Sequence, residues 1–353
     1  VDRPLWEMWL VEGMPDDQWA IITKTHHAMI DGLAGNELME TVLDRDPTAV
    51  RPPPSSWRPQ PQPSTLDLAG AAAGWALTLP VELTRAAATA AQRLGDPASV
   101  LRSGAVRALG LAQAGRRVAQ PTSVLNGPIG PHRRWGWASA ELATAKAIKD
   151  AAGCTVNDVV LAAIAGAFRQ YLQERGEPVD DLVLRSLVPV SIRTDAHRGA
   201  LGNQVTAMFA DLPVGVPDPL ERLAAVAQQM ADLKASGMAV GIESMLSAAD
   251  YVPATLMTLG ARAYVRTGQR VVNAVTTNIP GPQFPLHLLG RRMLTMTPYI
   301  PIAESVRISI GIASYDGQLA FGVTGDYDAV PDLDRLCEAI GTSLDELAAA
   351  ALG

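Results

Sequence analysis

Two adjacent histidines, His26 and His27, precede Asp31 and Gly32 in the stretch HHAMIDG at residues 26–32. A neutral imidazole can take a proton from a hydroxyl at neutral pH, and a carboxylate four residues on can fix the ring or the turn behind it. The glycine permits a tight approach of the backbone. This pattern indicates proton transfer; a structural histidine pair is one alternative. A metal site is a weaker one, because no third and fourth ligand follow at a recognisable spacing.

The elements around the histidines predict a hairpin followed by a helix. Residues 4–12 and 18–27 have the composition of strands and are separated by a turn at 13–17. Strand alternation places His26 and His27 on opposite faces of the second strand. A helix is expected over LAGNELMETVL, with an apolar side formed by Leu33, Leu38, Met39 and Leu43.

The middle of the chain changes composition twice. Residues 47–65 contain seven prolines and predict an extended linker. Residues 66–120 are Ala-rich and helical in pattern, with six Arg against three acidic residues. Such helices either have a solvated Arg face over an Ala/Leu packing face, or contact anionic lipid or a nucleotide phosphate.

Beyond Gly130 the pattern is mixed α/β. Ser139 is expected to cap a helix ending at Gly153, and Thr155 with Asp158 predicts a capping box for the next helix. The further elements expected are strands at 182–192, 203–212 and 271–278, helices at 218–235 and 243–265, a hairpin turning at Asp316-Gly317, and a helix from about 332. Long helices among strands indicate two-layer α/β sandwiches with mixed sheets.

Composition and charge exclude several classes. Hydrophobic residues make up 48% of the 353 residues and the formal net charge is -7, which argues against general disorder and against a nucleic-acid binder. Cys154 and Cys337 fit no redox or metal spacing, so both are expected to be buried thiols in a reducing compartment. No signal peptide is expected at the charged first residues. The best candidate for a membrane span, at 68–81, has 14 uncharged residues, short of the roughly 20 that span a membrane. A protein lying on a membrane is the expectation.

The motif at 26–32 resembles the HHxxxDG motif of the chloramphenicol-acetyltransferase-like superfamily. Further stretches, in chain order, are PLW at 4–6, NDVVLA at 157–162, VPVSIR at 188–193, GN at 202–203 and TNIPGP at 277–282. Together they resemble the bacterial wax ester synthase/diacylglycerol acyltransferase family, in particular its mycobacterial-type triacylglycerol synthases, over essentially the whole chain.

The resemblance implies two condensation-domain-like α/β sandwich lobes with mixed sheets. Residues 1–46 would be the remainder of the N-terminal lobe, 47–65 the Pro-rich linker, 66–130 a helical crossover and 131–353 the C-terminal lobe. Members of the family have a long segment before PLW. An N-terminal segment of the same protein, as a separate chain or a missing part, is therefore an expected partner, and an exposed sheet edge is expected without it.

The resemblance also implies acyl transfer from acyl-CoA to diacylglycerol or to a long-chain alcohol, in the cytoplasm at a membrane or lipid-droplet surface. His27 would be the general base, His26 a packing residue, and Asp31 a partner of Arg193. Transfer would be direct, without a covalent enzyme intermediate, and acyl-CoA would be a co-substrate with no further cofactor.

Asn278 is the expected donor to the oxyanion, with Thr276 and Thr277 behind it; strand-end turn formation is the alternative. Asn157 and Asp158 belong to a motif of the family, but their capping position favours structural use. Trp135, Trp137 and several Met and Leu residues either line an acyl channel or pack in the core. No CoA-binding residue is assigned; the available cations are Arg133, Arg134, Lys146 and Lys149.

Two other functions fit the motif. The first is another HHxxxDG acyltransferase or condensation enzyme that uses a carrier-bound or glycolipid substrate. The second is a non-catalytic protein that binds lipid or coats lipid droplets. NDVVLA and NIPGP favour the lipid acyltransferases over the first, and the intact HHAMIDG argues against the second.

Overall fold

The computed structural model of the chain describes residues 4–30, 32–50, 56, 58–59, 61–74, 77–78, 81, 122, 124–191, 205–235, 272–302 and 305–353. The predicted helix at 243–265 and the whole stretch from 82 to 121 lie outside these residues. Contacts group the chain into two compact units, one of Val1–Ala49, Val118–Ala239 and Thr267–Gly353 and the other of Val50–Arg117 and Val240–Arg266. The predicted boundaries of lobes, linker and crossover stay predictions.

The predicted N-terminal hairpin is confirmed. Strand β1 (Trp6–Val11) pairs antiparallel with β2 (Ala20–Thr25), from Trp6 opposite Thr25 to Val11 opposite Ala20. Both strands contain the aromatic and β-branched residues that suit a pleated surface. The residues that connect them include a short 3-10 turn at Pro15–Asp17.

The helix expected after the histidines is also confirmed, as α1 (Gly32–Val42). Met39 and the buried Leu43 pack against Leu286 and Tyr315. The prediction that Leu38 shares this apolar side is wrong, since 42% of its surface is exposed. Positions 39 and 43 are one turn apart on the same stripe, and Leu38 lies beside it.

The later strands are β3 (Arg133–Glu141), β4 (Leu184–Ser191), β5 (Val205–Leu212), β6 (Ala274–Pro280), β7 (His287–Leu288), β8 (Arg291–Arg292), β9 (Ile308–Tyr315) and β10 (Gln318–Asp326). Six of them form one sheet in the order β3-β10-β9-β6-β4-β5. The pairs β4–β6 and β6–β9 are parallel and the other pairs antiparallel, so the predicted mixed sheet is confirmed. The predicted turn at Asp316-Gly317 joins β9 to β10 with φ of 44° and 83°.

Four helices pack as a layer on this sheet: α2 (Leu142–Ala152), α3 (Val156–Glu174), α4 (Pro219–Ala235) and α5 (Leu333–Leu352). Helix α3 contacts the other three, and all its residues from 158 to 168 are buried. Small residues make this packing possible; a Cβ on Gly166 would overlap the hydroxyl of Ser343. No single helix in the described part of the chain is long and apolar enough to cross a membrane, and α2 with α3 passes that test only as a pair bent by 102°.

The capping predictions for α2 and α3 have different outcomes. The prediction that Ser139 caps α2 is wrong, because Ser139 lies in β3 opposite Ala320 and the ladder continues to Glu141. The C-terminal end of α2 is as predicted, with Gly153 left-handed at φ 66°. The capping box of Thr155 and Asp158 at the start of α3 is confirmed.

The other face of the sheet is crossed by residues 298–302. The hydroxyl of Ser309 donates to the carbonyl of Ile300 at 2.6 Å, and the chain passes directly over two glycines of the sheet. A Cβ on Gly311 would lie 2.6 Å from a side-chain carbon of Ile300, and one on Gly322 would overlap the carbonyl oxygen of Pro298. The crossing segment therefore requires glycine at both positions.

We expect Gly322→Ala to lower the free energy of unfolding by about 1–3 kcal/mol, because the crossing chain must move away from the sheet. The matched control is Gly341→Ala, in α5, where a Cβ meets no atom within 4 Å. It should raise stability by up to about 1 kcal/mol through helix propensity. Urea unfolding of both variants measures the difference, and equal stability of the two would contradict the close crossing.

Candidate active site

The histidines lie where β2 passes into α1. The N–H of His26 donates to the carbonyl of Leu5 at 2.7 Å, and the carbonyl of His26 accepts the N–H of Met29 at 2.9 Å. Residues 27–29 form a turn, and both imidazoles are exposed. Regular pairing ends at Thr25, so strand alternation does not decide where the ring of His27 points. The predicted opposition of the two rings stays a prediction.

The ring of His26 supports this turn. Its Nδ1 accepts the backbone N–H of Ala28 at 3.1 Å. A nitrogen that accepts carries no proton, so the neutral ring of His26 has its proton on Nε2. A ring held by the local backbone suits turn support.

The structure describes one of the two other predicted members of the motif and not the other. Gly32 is the first residue of α1. Asp31 and Arg193 lie outside the described residues, and so does the contact predicted between them. Only Ile30 and Asp31 separate the histidine turn from α1, so the placement of α1, together with that of β2, limits where the turn lies.

A hydrogen bond joins α1 to the C-terminal end of β6. The side-chain Nδ2 of Asn36 donates to the carbonyl of Pro280 at 2.9 Å, across 244 residues of sequence. Pro280 is the last residue of β6 and comes two residues after Asn278. The helix that follows the two histidines is therefore joined to the NIPGP stretch, far away along the chain, at one end of the sheet.

Asn278 and Asn157 are also brought together. Nδ2 of Asn278 donates to Oδ1 of Asn157 at 3.4 Å, and both side chains are half-buried. A side-chain amide has two N–H groups, of which this bond uses one. The pair can therefore hold an amide donor at the end of β6.

The capping box fixes Asn157 in turn. Oδ2 of Asp158 accepts both the N–H of Thr155, at 2.8 Å, and its hydroxyl, at 2.7 Å. The hydroxyl oxygen of Thr155 accepts the N–H of Asp158 at 3.3 Å. Thr276 belongs to the core instead of the site, since it is buried and its hydroxyl accepts from Ser186 at 2.8 Å.

Neither cysteine is prepared to act as a nucleophile. Burial, and then the charge of Asp158, raise the pKa of the half-buried Cys154 thiol. Burial raises the pKa of Cys337 to about 12. Both thiols are protonated at neutral pH and unreactive as nucleophiles. The expected burial is confirmed for Cys337.

Of the two alternatives for Trp135 and Trp137, packing in the core is wrong. Their side chains are 42% and 62% exposed on β3, with ring centroids 5.4 Å apart.

Among the cations considered for CoA, Lys146 is exposed and the other three have protein partners. Arg133 donates to the Gly130 carbonyl, Arg134 stacks on Tyr327 and Lys149 pairs with Asp150. Within the described residues, no three His, Cys, Asp or Glu side chains are grouped so that they could hold a metal ion.

Sequence reasoning missed the β7–β8 hairpin, which contacts the N-terminal residues and the turn between β9 and β10. In the β7–β8 hairpin, Arg291 donates to the carboxylate of Asp17 at 3.1 Å and Arg292 to that of Asp316 at 2.6 Å. The backbones of His287 and Asp44 exchange two hydrogen bonds, at 2.7 and 2.8 Å. The run LHLLGRR signals a short hairpin, but nothing in it indicates the partners.

Two family profiles match the chain. One is described as the wax ester synthase/diacylglycerol acyltransferase catalytic domain and matches residues 1–160. The other, the WS/DGAT C-terminal domain, matches residues 201–348. A Mycobacterium tuberculosis protein named as a probable diacylglycerol O-acyltransferase is 34% identical over 349 residues, which are 98% of this chain and 72% of that protein. A second protein of that species with the same description is 33% identical over 359 residues, covering 98% and 74%.

The fold has solved counterparts. A wax ester synthase/diacylglycerol acyltransferase from Marinobacter aquaeolei VT8 matches with a TM-score of 0.63 and 25% identity, over 99% of this chain and 72% of that one. The epimerization domain of a tyrocidine synthetase matches with a TM-score of 0.52 and 13% identity, over 95% and 70%. The second likeness concerns the fold alone. The predicted fold class, of the two-lobed condensation-domain-like kind, is confirmed.

We expect Thr155→Ala to destabilise the protein by about 1 kcal/mol, because the first turn of α3 loses its cap. Thr342→Ala is the matched control, since that hydroxyl donates to a carbonyl within α5 and caps nothing. Thermal unfolding should show a lower Tm for the first variant and an unchanged or slightly higher Tm for the second. A lower Tm in the control alone would contradict the capping role.

Proposed function

Since the chain belongs to the wax ester synthase/diacylglycerol acyltransferase family, we propose that it makes triacylglycerol by transferring the acyl group of acyl-CoA to diacylglycerol. Long-chain alcohols are the second class of acceptor, which would give wax esters. The observation that carries the proposal is the bond from Asn36 to Pro280, because it joins α1, the helix that begins at Gly32 of the histidine motif, to the strand end that holds Asn278.

In the proposed reaction His27 is the general base. It takes the proton of the acceptor hydroxyl while the hydroxyl oxygen attacks the thioester carbonyl carbon, and a C–O bond forms. The tetrahedral intermediate collapses, the C–S bond breaks, and the imidazolium returns its proton to the CoA thiolate. The ester forms directly on the acceptor, so no covalent enzyme intermediate is needed, and acyl-CoA is a co-substrate with no further cofactor.

Asn278 is the proposed donor to the oxyanion of this intermediate. Its amide lies at the end of β6 and is oriented by Asn157, whose own position follows from the capping box. A donor held in place before the reaction loses no energy to reorientation, and such a donor is worth roughly 3 kcal/mol in well-studied hydrolases. Asp31 with Arg193 is proposed to fix the turn between the histidines and α1.

The substrates suggest where the enzyme works. Diacylglycerol and long acyl chains partition into lipid, so we place the protein in the cytoplasm at a membrane or lipid-droplet surface. The N-terminal segment, as part of the same protein or a separate chain, stays a predicted partner. A carrier-fed HHxxxDG enzyme and a non-catalytic lipid-binding protein remain the competing hypotheses.

We expect His27→Ala in the full-length protein to reduce acyl transfer by at least about 100-fold, since general bases contribute on the order of 10²–10⁴. The measurement is thiol release from palmitoyl-CoA with dioleoylglycerol or hexadecanol. His26→Ala is the control and should retain most of the rate, because its ring supports a turn.

Three results would contradict this assignment. Equal loss in both variants would remove the distinction between the histidines. Transfer from acyl-carrier protein but not from acyl-CoA would favour the carrier-fed enzyme. Lipid binding with no turnover in wild type, unchanged by His27→Ala, would favour the non-catalytic hypothesis.

We expect Asn278→Ala to lower kcat by about 100-fold with little change in KM, because an oxyanion donor acts mainly in the transition state. Asn157→Ala should lower kcat less, since it orients the donor without replacing it. Steady-state kinetics with varied acyl-CoA separate the two parameters. A higher KM at unchanged kcat for Asn278→Ala would instead indicate a substrate-binding role.

A further inference from the structure

We propose that Asn36 is a positioning residue for this reaction: its side chain sets the distance between the histidine turn and the C-terminal end of β6. The inference rests on the proposed function, because it concerns the same site. It adds a role for a residue outside the HHAMIDG and NIPGP stretches.

The hydrogen bonds that His26 makes in the histidine turn are local. The N–H of His26 bonds to Leu5 within the same hairpin, and its ring and carbonyl bond to Ala28 and Met29 within the same turn. These bonds define the shape of the turn. They do not place it against β6, which belongs to the six-stranded sheet.

Further contacts of α1 with the C-terminal region, among the side chains that the structure describes, lie near its other end. Met39 and Leu43 pack against Leu286 and Tyr315, and Asp44 exchanges backbone hydrogen bonds with His287. At 1.5 Å per residue, Gly32 is roughly 15 Å from Val42, the last residue of α1, along the helix axis. A small pivot about that end therefore moves the histidine end by the most. A misplacement of about 1 Å can cost 100-fold in rate.

The acceptor of the Asn36 bond is itself held firmly. Pro280 pairs with Ser314 across the β6–β9 ladder. The next residue, Gly281, donates its N–H to the hydroxyl of Ser314 at 3.2 Å, and a Cβ there would overlap the Ser314 carbonyl oxygen. A donor bound to this carbonyl thus holds α1 at a fixed distance from the sheet.

The bond needs a donor, which allows a test at constant shape. Asn36→Asp keeps the size of the side chain but places an oxygen against the Pro280 carbonyl. Asn36→Gln keeps the N–H on a longer chain. We expect kcat for acyl transfer to fall at least 10-fold for Asp, with Ala between Asp and Gln, at unchanged KM for acyl-CoA.

The matched control is Asn126→Ala. Nδ2 of Asn126 donates to the carbonyls of Val272 and Ser305, at 3.0 and 3.3 Å, near the other end of β6. This variant should lower the Tm and leave kcat within 2-fold. If Asn36→Asp changes the Tm but not kcat, or if Asn126→Ala lowers kcat as much, the positioning role is overturned.

Coupling to His27 gives a stricter test. If Asn36 acts through the base, Asn36→Ala should have little further effect on the residual rate of His27→Ala, whereas a purely structural loss would reduce both backgrounds by the same factor. Equal factors would overturn the proposal.

Hydrogen exchange separates this proposal from the function itself. We expect Asn36→Ala to speed exchange at residues 26–36 of the intact protein, whether or not it transfers acyl groups, and Asn126→Ala to leave that segment unchanged. If the wild-type protein transfers no acyl group, the proposed function is overturned and the positioning role is not. If hydrogen exchange at residues 26–36 is unchanged in Asn36→Ala, the positioning role is overturned and the proposed function is not.

Discussion

The C-terminal end of β6 is the rigid part of the fold on which the candidate site is built. It is held by the parallel ladder to β9 and by the close approach of Gly281 to the backbone of Ser314, where no side chain fits. Asn278 precedes this point and Pro280 occupies it. The amide bonded to Asn157 and the carbonyl bonded to Asn36 are therefore fixed by backbone packing, which is stiffer than contact between long side chains.

The apolar core that stabilises the fold and the histidine turn are separate parts of the structure. The helices α2 to α5 bury a continuous apolar core against the sheet, and α3 lies almost wholly inside it. The histidine turn lies outside this core, with exposed side chains and mostly local hydrogen bonds. In the proposed mechanism the base meets two substrates and is exposed to them, so its position depends on a few directed polar contacts instead of burial.

Several polar groups near the candidate site have structural roles instead of catalytic ones. Thr155, Asp158 and Thr276 have roles in caps and in the core, and the protonated thiols of Cys154 and Cys337 are unsuited to nucleophilic attack. The proposed histidine base and amide donor suit direct transfer between a thioester and a hydroxyl. Folds of this kind serve different chemistry in distant relatives, so function has to be argued from the site.

Local chemistry in the sequence determined much of this structure. The hairpin, the capping box, the Asp316-Gly317 turn and the long apolar helix depend on residues a few positions apart, and all were predictable. Ser139 and Leu38 were assigned wrongly because pairing with β10 and the line of the Met39–Leu43 stripe outweighed local preference. The bonds of Asn36 to Pro280, Asn278 to Asn157 and Arg291 to Asp17 join residues 121 to 274 positions apart. Only the tertiary structure decides such contacts, because a side-chain amide or guanidinium has no sequence signature for a distant partner.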